Sequence, residues 1–190
     1  MLLPFVLVQT LYWLALATWF GSLLFVIVAA PIIFRVVRDS HPTLPGVLSV
    51  NLDDQHGTLL AGSIVSGLLT TVHRLQAICA GALLPLVIAQ WLLTRPHDTA
   101  LVIGILRSAL YVGAAAMFLY DWRVVWPKVE AARQKYLDNA DAPDIANPAL
   151  DEFDRRQLES AALKRNVLFA LTGTILFSGW VSMAQTITFG

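Results

Sequence analysis

Three stretches of the chain carry no charged side chain: Met1 to Phe34, Leu75 to Leu93 and Val167 to Gly190. A fourth, from about residue 100 to 122, is apolar apart from Arg107 and Asp121. An apolar run of about 18 residues or more can cross the roughly 30 Å hydrocarbon core of a bilayer as a helix. The pattern therefore predicts four spans, at about 5–34, 75–93, 100–122 and 167–189. The first is longer than a bilayer requires, so it tilts or protrudes.

Between the first two spans, "RDSHPTLPGVLSVNLDDQHG" holds Pro42, Pro45 and Gly46 and predicts a surface loop. A helical pattern resumes near residue 58 and runs to 93. As one straight helix that stretch would reach about 54 Å, well past the hydrocarbon core. The spacing predicts a break at the adjacent His73 and Arg74. Before it, Ser63, Ser66, Gly67, Thr70 and Arg74 form one stripe, and Leu60, Ile64, Leu68 and Val72 another. Residues 58–72 thus read as an amphipathic helix lying at the interface or docked on the spans. Pro85 predicts a kink in the second span.

After the third span, "WPKVEAARQKYLDN" continues as a helix, with Pro127 near its start. "ADAPDIANPAL" interrupts it. Asn147 and Pro148 predict a new start, an N-cap followed by proline in the first turn. Asp151 and Glu152 each have an arginine four residues on, Arg155 and Arg156, in the favourable acid-first order. The expected fold is an all-α membrane protein in a single transmembrane domain. It is a four-transmembrane-helix bundle with an amphipathic helix before span 2. A helical cytoplasmic hairpin, about 127–165, joins spans 3 and 4.

Composition agrees: 57% of the residues are hydrophobic and 14% charged, against about 25% charged in a soluble domain. The expected surroundings are a lipid bilayer. With 13 basic and 13 acidic side chains the net charge is zero, which gives no case for nucleic acid. Cys79 is the one cysteine, so neither an internal disulfide nor a thiolate metal cluster is expected. No Lys or Arg precedes Arg35, so the first block reads as a retained helix and not as a signal peptide. Arg35, Arg38 and Arg74 lie between spans 1 and 2. Arg123, Lys128, Arg133, Lys135, Arg155, Arg156, Lys164 and Arg165 lie between spans 3 and 4. The connection between spans 2 and 3 holds only Arg95. The positive-inside rule then places both basic connections in the cytoplasm and both termini outside the cell membrane.

Four residues are candidates for function or for polar contacts between helices. His73 and Arg74 fit a cytoplasmic boundary, where arginine snorkels to the headgroups; a functional role would place them in a protein-lined cavity. Arg107 lies roughly 12 Å inside the third span. Asp98 is two and a half turns away, too far to pair with it. Asp121, near an aromatic belt of Tyr120, Trp122 and Trp126, has Arg123, Arg74 or Arg35 as candidate partners. Gly21, Gly62, Ser66, Gly67, Ser178, Gly179 and Ser182 are small residues suited to close helix packing. Of the histidines His41, His56, His73 and His97, no two share a depth on two spans, so a bis-histidine haem is not expected. Asp53, Asp54 and His56 read as a solvated loop and not as a metal site. No cofactor is expected, and no nucleophile–base pair is visible.

The helix "LYWLALATWFGSLLFVIVAAPIIFR" resembles the first span of the DUF4149 / TMEM205-like membrane proteins, on Trp19, Gly21, Ala29, Ala30, Pro31, Phe34 and Arg35. "AGSIVSGLLTTVHRL" resembles the segment that precedes the family's second span. "WPKVEAARQKY" and "FDRRQLESAALKRNVLFAL" resemble its cytoplasmic section. The chain departs where a histidine often precedes the family's last span: it reads Arg155–Arg156–Gln157–Leu158. The resemblance implies a four-span helical protein and names no activity.

The leading expectation is a non-enzymatic accessory or structural subunit that packs against other membrane proteins or against itself. The small-residue faces and the lack of a catalytic constellation point to it. The alternatives are a small-solute or ion transporter or channel using Arg107, His73 and Asp121, and a haem- or quinone-handling redox protein.

Overall fold

The computed structural model describes residues 2–40, 56–93, 98–139 and 141–188. Among them there is no strand; nearly all are helical. The elements are α1 (Leu2–Asp39), α2 (His56–Leu93), α3 (Asp98–Tyr120), a π-helical turn (Asp121–Val125), α4 (Trp126–Asp138) and α5 (Pro143–Thr188). Three helical stretches, Leu3–Asp39, Gly57–Leu93 and Leu101–Asp138, are long and apolar enough to cross a membrane. The loop expected at 38–57 lies outside the described residues over 41–55, as do Asp53, Asp54, His41 and His97, while its ends belong to helices, Arg38 and Asp39 to α1 and His56 and Gly57 to α2.

Helices α1 and α3 and the last part of α5 each bury a stripe at alternating three- and four-residue steps, the spacing of helices packed side by side. On α1 it is Tyr12, Leu16, Trp19, Leu23 and Val26; on α3, Gly104, Arg107, Tyr111, Ala114 and Phe118. On α5, Val167, Leu171, Thr174 and Ser178 follow the same rule. The remaining faces of α1 leave large apolar side chains exposed, such as Leu7, Leu14, Phe25 and Val28, as befits a surface that meets lipid.

The chain divides into two compact units. One comprises Met1–Leu23, Arg74–Phe118 and Lys164–Gly190; the other Leu24–His73 and Leu119–Leu163. In the first, Trp19 packs edge-on against Tyr111 and Phe118. Tyr111 donates its hydroxyl to the Ala80 carbonyl at 2.6 Å. In the second, α4 lies along α2: Ser66 Oγ donates to Glu130 at 2.6 Å, and Arg133 donates to Ser63 Oγ at 2.8 Å.

Four expectations need correction. The break at His73–Arg74 is absent, and α2 runs unbroken from His56 to Leu93. Neither residue breaks a helix, and arginine is a good helix former. The segment 58–72 is therefore no separate amphipathic helix. Its Ser63 and Ser66 meet the charged side chains of α4, while Ile64, expected on the apolar stripe, is exposed. The first helix, expected to span about 5–34, continues to Asp39, with Arg38 in its last turn. The last helix begins at Pro143 and not at Asn147. The Ala142 carbonyl accepts from the Ile145 and Ala146 amides, both at 2.9 Å. Pro143 thereby fills the first-turn role assigned to Pro148, and Asn147 and Pro148 fall inside the helix.

Candidate functional site

The buried polar residues gather in two places, one in each unit. The more compact is centred on His73, Asp121 and Ser160. His73 and Arg74 are neighbours in sequence but stand about 100° apart around α2. The buried line of that helix runs through Ala61, Val65, Val72, His73, Gln76 and Cys79, which turns His73 inward and leaves Arg74 exposed. The pair therefore parts into one core residue and one surface residue.

His73 is 1% exposed and Asp121 3%. His73 Nε2 lies 3.6 Å from Asp121 Oδ2. The other carboxylate oxygen, Oδ1, accepts the Ser160 hydroxyl at 2.6 Å. The Trp126 ring stands edge-on to the imidazole, with centroids 5.3 Å apart. Three helical segments thus close around one carboxylate. His73 is thus a neighbour of Asp121 that the sequence reading did not pair with it. Arg123, two residues on, stacks over Trp122.

The π-helical turn sets this geometry. The Trp126 amide bonds to the Asp121 carbonyl, a five-residue step in place of four. On α3 the buried residues alternate steps of three and four. From Asp121 the next two steps, to Val125 and then Val129, are both of four. The wider turn absorbs the extra residue. Asp121, Val125 and Val129 all remain buried as a result. Turns of this kind are rare and often lie at functional sites.

The second group belongs to the other unit. Arg107 is 5% exposed, with its guanidinium carbon 5.5 Å above the centre of the Tyr12 ring. The Tyr12 and Ser178 oxygens are 2.6 Å apart, and the Ser178 hydroxyl also donates to the Thr174 carbonyl at 2.6 Å. Gln90 donates to Gln9 at 2.8 Å, and Trp91 donates to Ser108 at 3.1 Å. Arg107 is thus a core residue of its helix.

The small residues expected at close helix contacts divide. Ser178 is a hydrogen-bonding group of the interior, to Tyr12, and Ser66 is a part-buried one, to Glu130. Gly62 lies 3.8 Å from the Arg133 guanidinium, measured from an added Cβ. Gly21, Gly67 and Gly179 have open space in front of them. Ser182 lies outside the residues whose side chains the structure describes. The tight approaches are at Gly104, against Trp91, and Gly173, against Leu110. Sequence reasoning also missed Tyr12, Trp126 and Ser160. Only Trp126 left a signal, as part of the aromatic belt.

Among the described residues no three of His, Cys, Asp and Glu converge on a point where a metal could sit. The His73–Asp121–Ser160 group sets three polar side chains from separate helical segments against one another in the interior. An imidazole stands 3.6 Å from a carboxylate oxygen, and a hydroxyl donates to the other oxygen of that carboxylate. Compared with family models, with curated proteins and with solved structures, the chain gives no match.

Proposed function

We propose that the protein is a four-span membrane protein that moves a proton or another small ion, using His73 and Asp121 as its titratable centre. The carrying observation is the buried pair itself, 3.6 Å apart with Ser160 on the second carboxylate oxygen. Ionisable side chains inside apolar helices are costly to bury and mark ion paths and proton relays more often than they add stability.

The fourth crossing is the end of α5. From Val167 to Thr188 it is helical and uncharged, and about 33 Å long at 1.5 Å per residue. Stripes of the coiled-coil spacing on α1, α3 and α5 suit a bundle. The resemblance to the DUF4149 / TMEM205-like proteins supports the same count. The charge asymmetry of the connections supports a cytoplasmic α4 hairpin and outward termini in a cell membrane.

Reconstitution into liposomes with a trapped pH-sensitive dye tests the reading. Wild-type protein should dissipate an imposed pH gradient faster than empty liposomes, and His73→Gln should not. Equal rates for wild type and empty liposomes would remove the proton-transport reading.

A second reading, the accessory subunit, is favoured by one observation. Gly21, Gly67 and Gly179 present small surfaces with nothing among the described residues within 4 Å of an added Cβ, and such surfaces admit a neighbouring helix. Stoichiometric partner chains on a gently solubilised particle would support it.

A further inference from the structure

Arg107 raises a separate question that does not depend on ion transport. Its side chain is buried, and its Nε has no hydrogen-bond partner among the described residues. No carboxylate there lies within ion-pair distance of it. The sequence explains why. The unit that contains Arg107 comprises Met1–Leu23, Arg74–Phe118 and Lys164–Gly190. Its one acidic residue is Asp98. Asp98 and Arg107 are nine residues apart on α3, two and a half turns, which puts them on opposite sides of the helix. Guanidinium stays charged at any physiological pH. Among the described residues, therefore, this buried cation has no carboxylate paired with it.

The neighbouring hydroxyls do not fill that need. Ser178 gives its hydrogen to the Thr174 carbonyl, so the Tyr12 hydroxyl is the donor in the Tyr12–Ser178 bond. Tyr12 offers Arg107 the face of its ring, a weaker attraction than an ion pair. The unspent donor is Nε–H. Together with an adjacent Nη–H it forms the edge of the guanidinium that takes two oxygens of one carboxylate or phosphate in parallel. Leu106 and Leu11, next in sequence to Arg107 and Tyr12, are apolar and exposed. They offer a surface along which an acyl chain could lie.

We infer that Arg107, seated over the Tyr12 ring, is the binding residue of an oxyanion site, one that takes the phosphate or carboxylate of an anionic amphiphile or the same group free in solution. An unpaired buried cation costs the fold stability, and a bound anion returns it.

The test uses the full chain purified in a neutral detergent. Mixed micelles carry either phosphatidylglycerol or phosphatidylcholine, and retained lipid is counted by native mass spectrometry. In parallel, the thermal unfolding midpoint is followed with inorganic phosphate and with acetate, against chloride at matched ionic strength. The expected result is a clear preference for phosphatidylglycerol in wild type and a loss of roughly ten-fold or more in that preference in Arg107→Gln, the scale of a charge-assisted hydrogen-bond pair. Arg38→Gln, exposed on α1, should keep it. Arg107→Lys keeps the charge without the fork and should retain only part; it serves if Arg107→Gln fails to fold. A midpoint raised by phosphate or acetate, without lipid preference, would keep the site and assign it to a free anion. The inference is overturned if wild type shows neither effect, or if the lipid preference survives Arg107→Gln or Arg107→Lys undiminished.

Discussion

At the residue scale, the arginines on α5 divide their work differently from those in the interior. Arg155 and Arg156 both pair with Glu152, and Arg156 reaches on to Glu159 at 2.9 Å. Asp151, four residues before Arg155, is not the partner that acid-first spacing suggested. The hydrogen bond from Arg156 is the main cause that holds the Glu152 carboxyl below its ordinary range, with Arg155 adding to it. A carboxyl whose folded value is depressed contributes stability that is complete above the ordinary carboxylate range. That contribution is lost as pH falls through the depressed value. Because the group is solvent-facing, the effect is small. Helicity followed by circular dichroism should therefore show a minor acid loss in wild type that is missing in Glu152→Gln; identical acid profiles would contradict it. The same scale shows where sequence reading ends. The acid-first spacing of α5 was visible in the sequence, and one of the two pairs it suggested formed. Asp121 and Ser160 are 39 residues apart, Tyr12 and Ser178 are 166 apart. No local pattern encodes such meetings, because they depend on the rotation and register of helices that only packing sets.

At the element scale, the helices themselves were legible, since uncharged apolar blocks leave few alternatives to a long helix. The unbroken α2 was not. Length against bilayer thickness suggested a break, yet a helix longer than the core can tilt or continue out of it, and nothing at His73–Arg74 forces an interruption. The π-helical turn left a trace in the four-residue steps from Asp121 to Val125 to Val129, a trace readable only once the inward face is known. Close approaches were also invisible, because a glycine that meets a neighbour looks the same in sequence as one that meets none. Gly104 and Gly173 show the difference. A Cβ on Gly104 would sit 3.1 Å from two ring carbons of Trp91, whose indole is held by its bond to Ser108. Overpacking against such a fixed ring costs about 1–3 kcal/mol. On Gly173 the nearest atom is a Leu110 methyl at 2.9 Å, the tip of a flexible side chain. Gly104→Ala should lower the unfolding midpoint in detergent. Gly173→Ala should leave it unchanged or raise it, by up to about 1 kcal/mol of helix propensity. The reverse order would mean that the Trp91 ring is the more mobile of the two.

At the scale of the whole molecule, the account rests on what an apolar protein gains by burying three ionisable side chains. Replacing a buried ion pair with apolar residues is often neutral or stabilising, so such a pair is weak as a stabilising device. A functional centre and a structural one therefore make opposite predictions for a variant that keeps the shape and removes the charge. Asp121→Asn is that variant, since an amide oxygen can still accept from Ser160 and an amide nitrogen can face His73. The decisive measurement takes one preparation of Asp121→Asn and reads two quantities beside wild type, the unfolding midpoint in detergent and the rate at which reconstituted liposomes dissipate a pH gradient. The account predicts a midpoint close to wild type with the rate reduced to that of empty liposomes. A rate equal to wild type in a folded variant would contradict it, and would leave His73 and Asp121 as a purely structural pair.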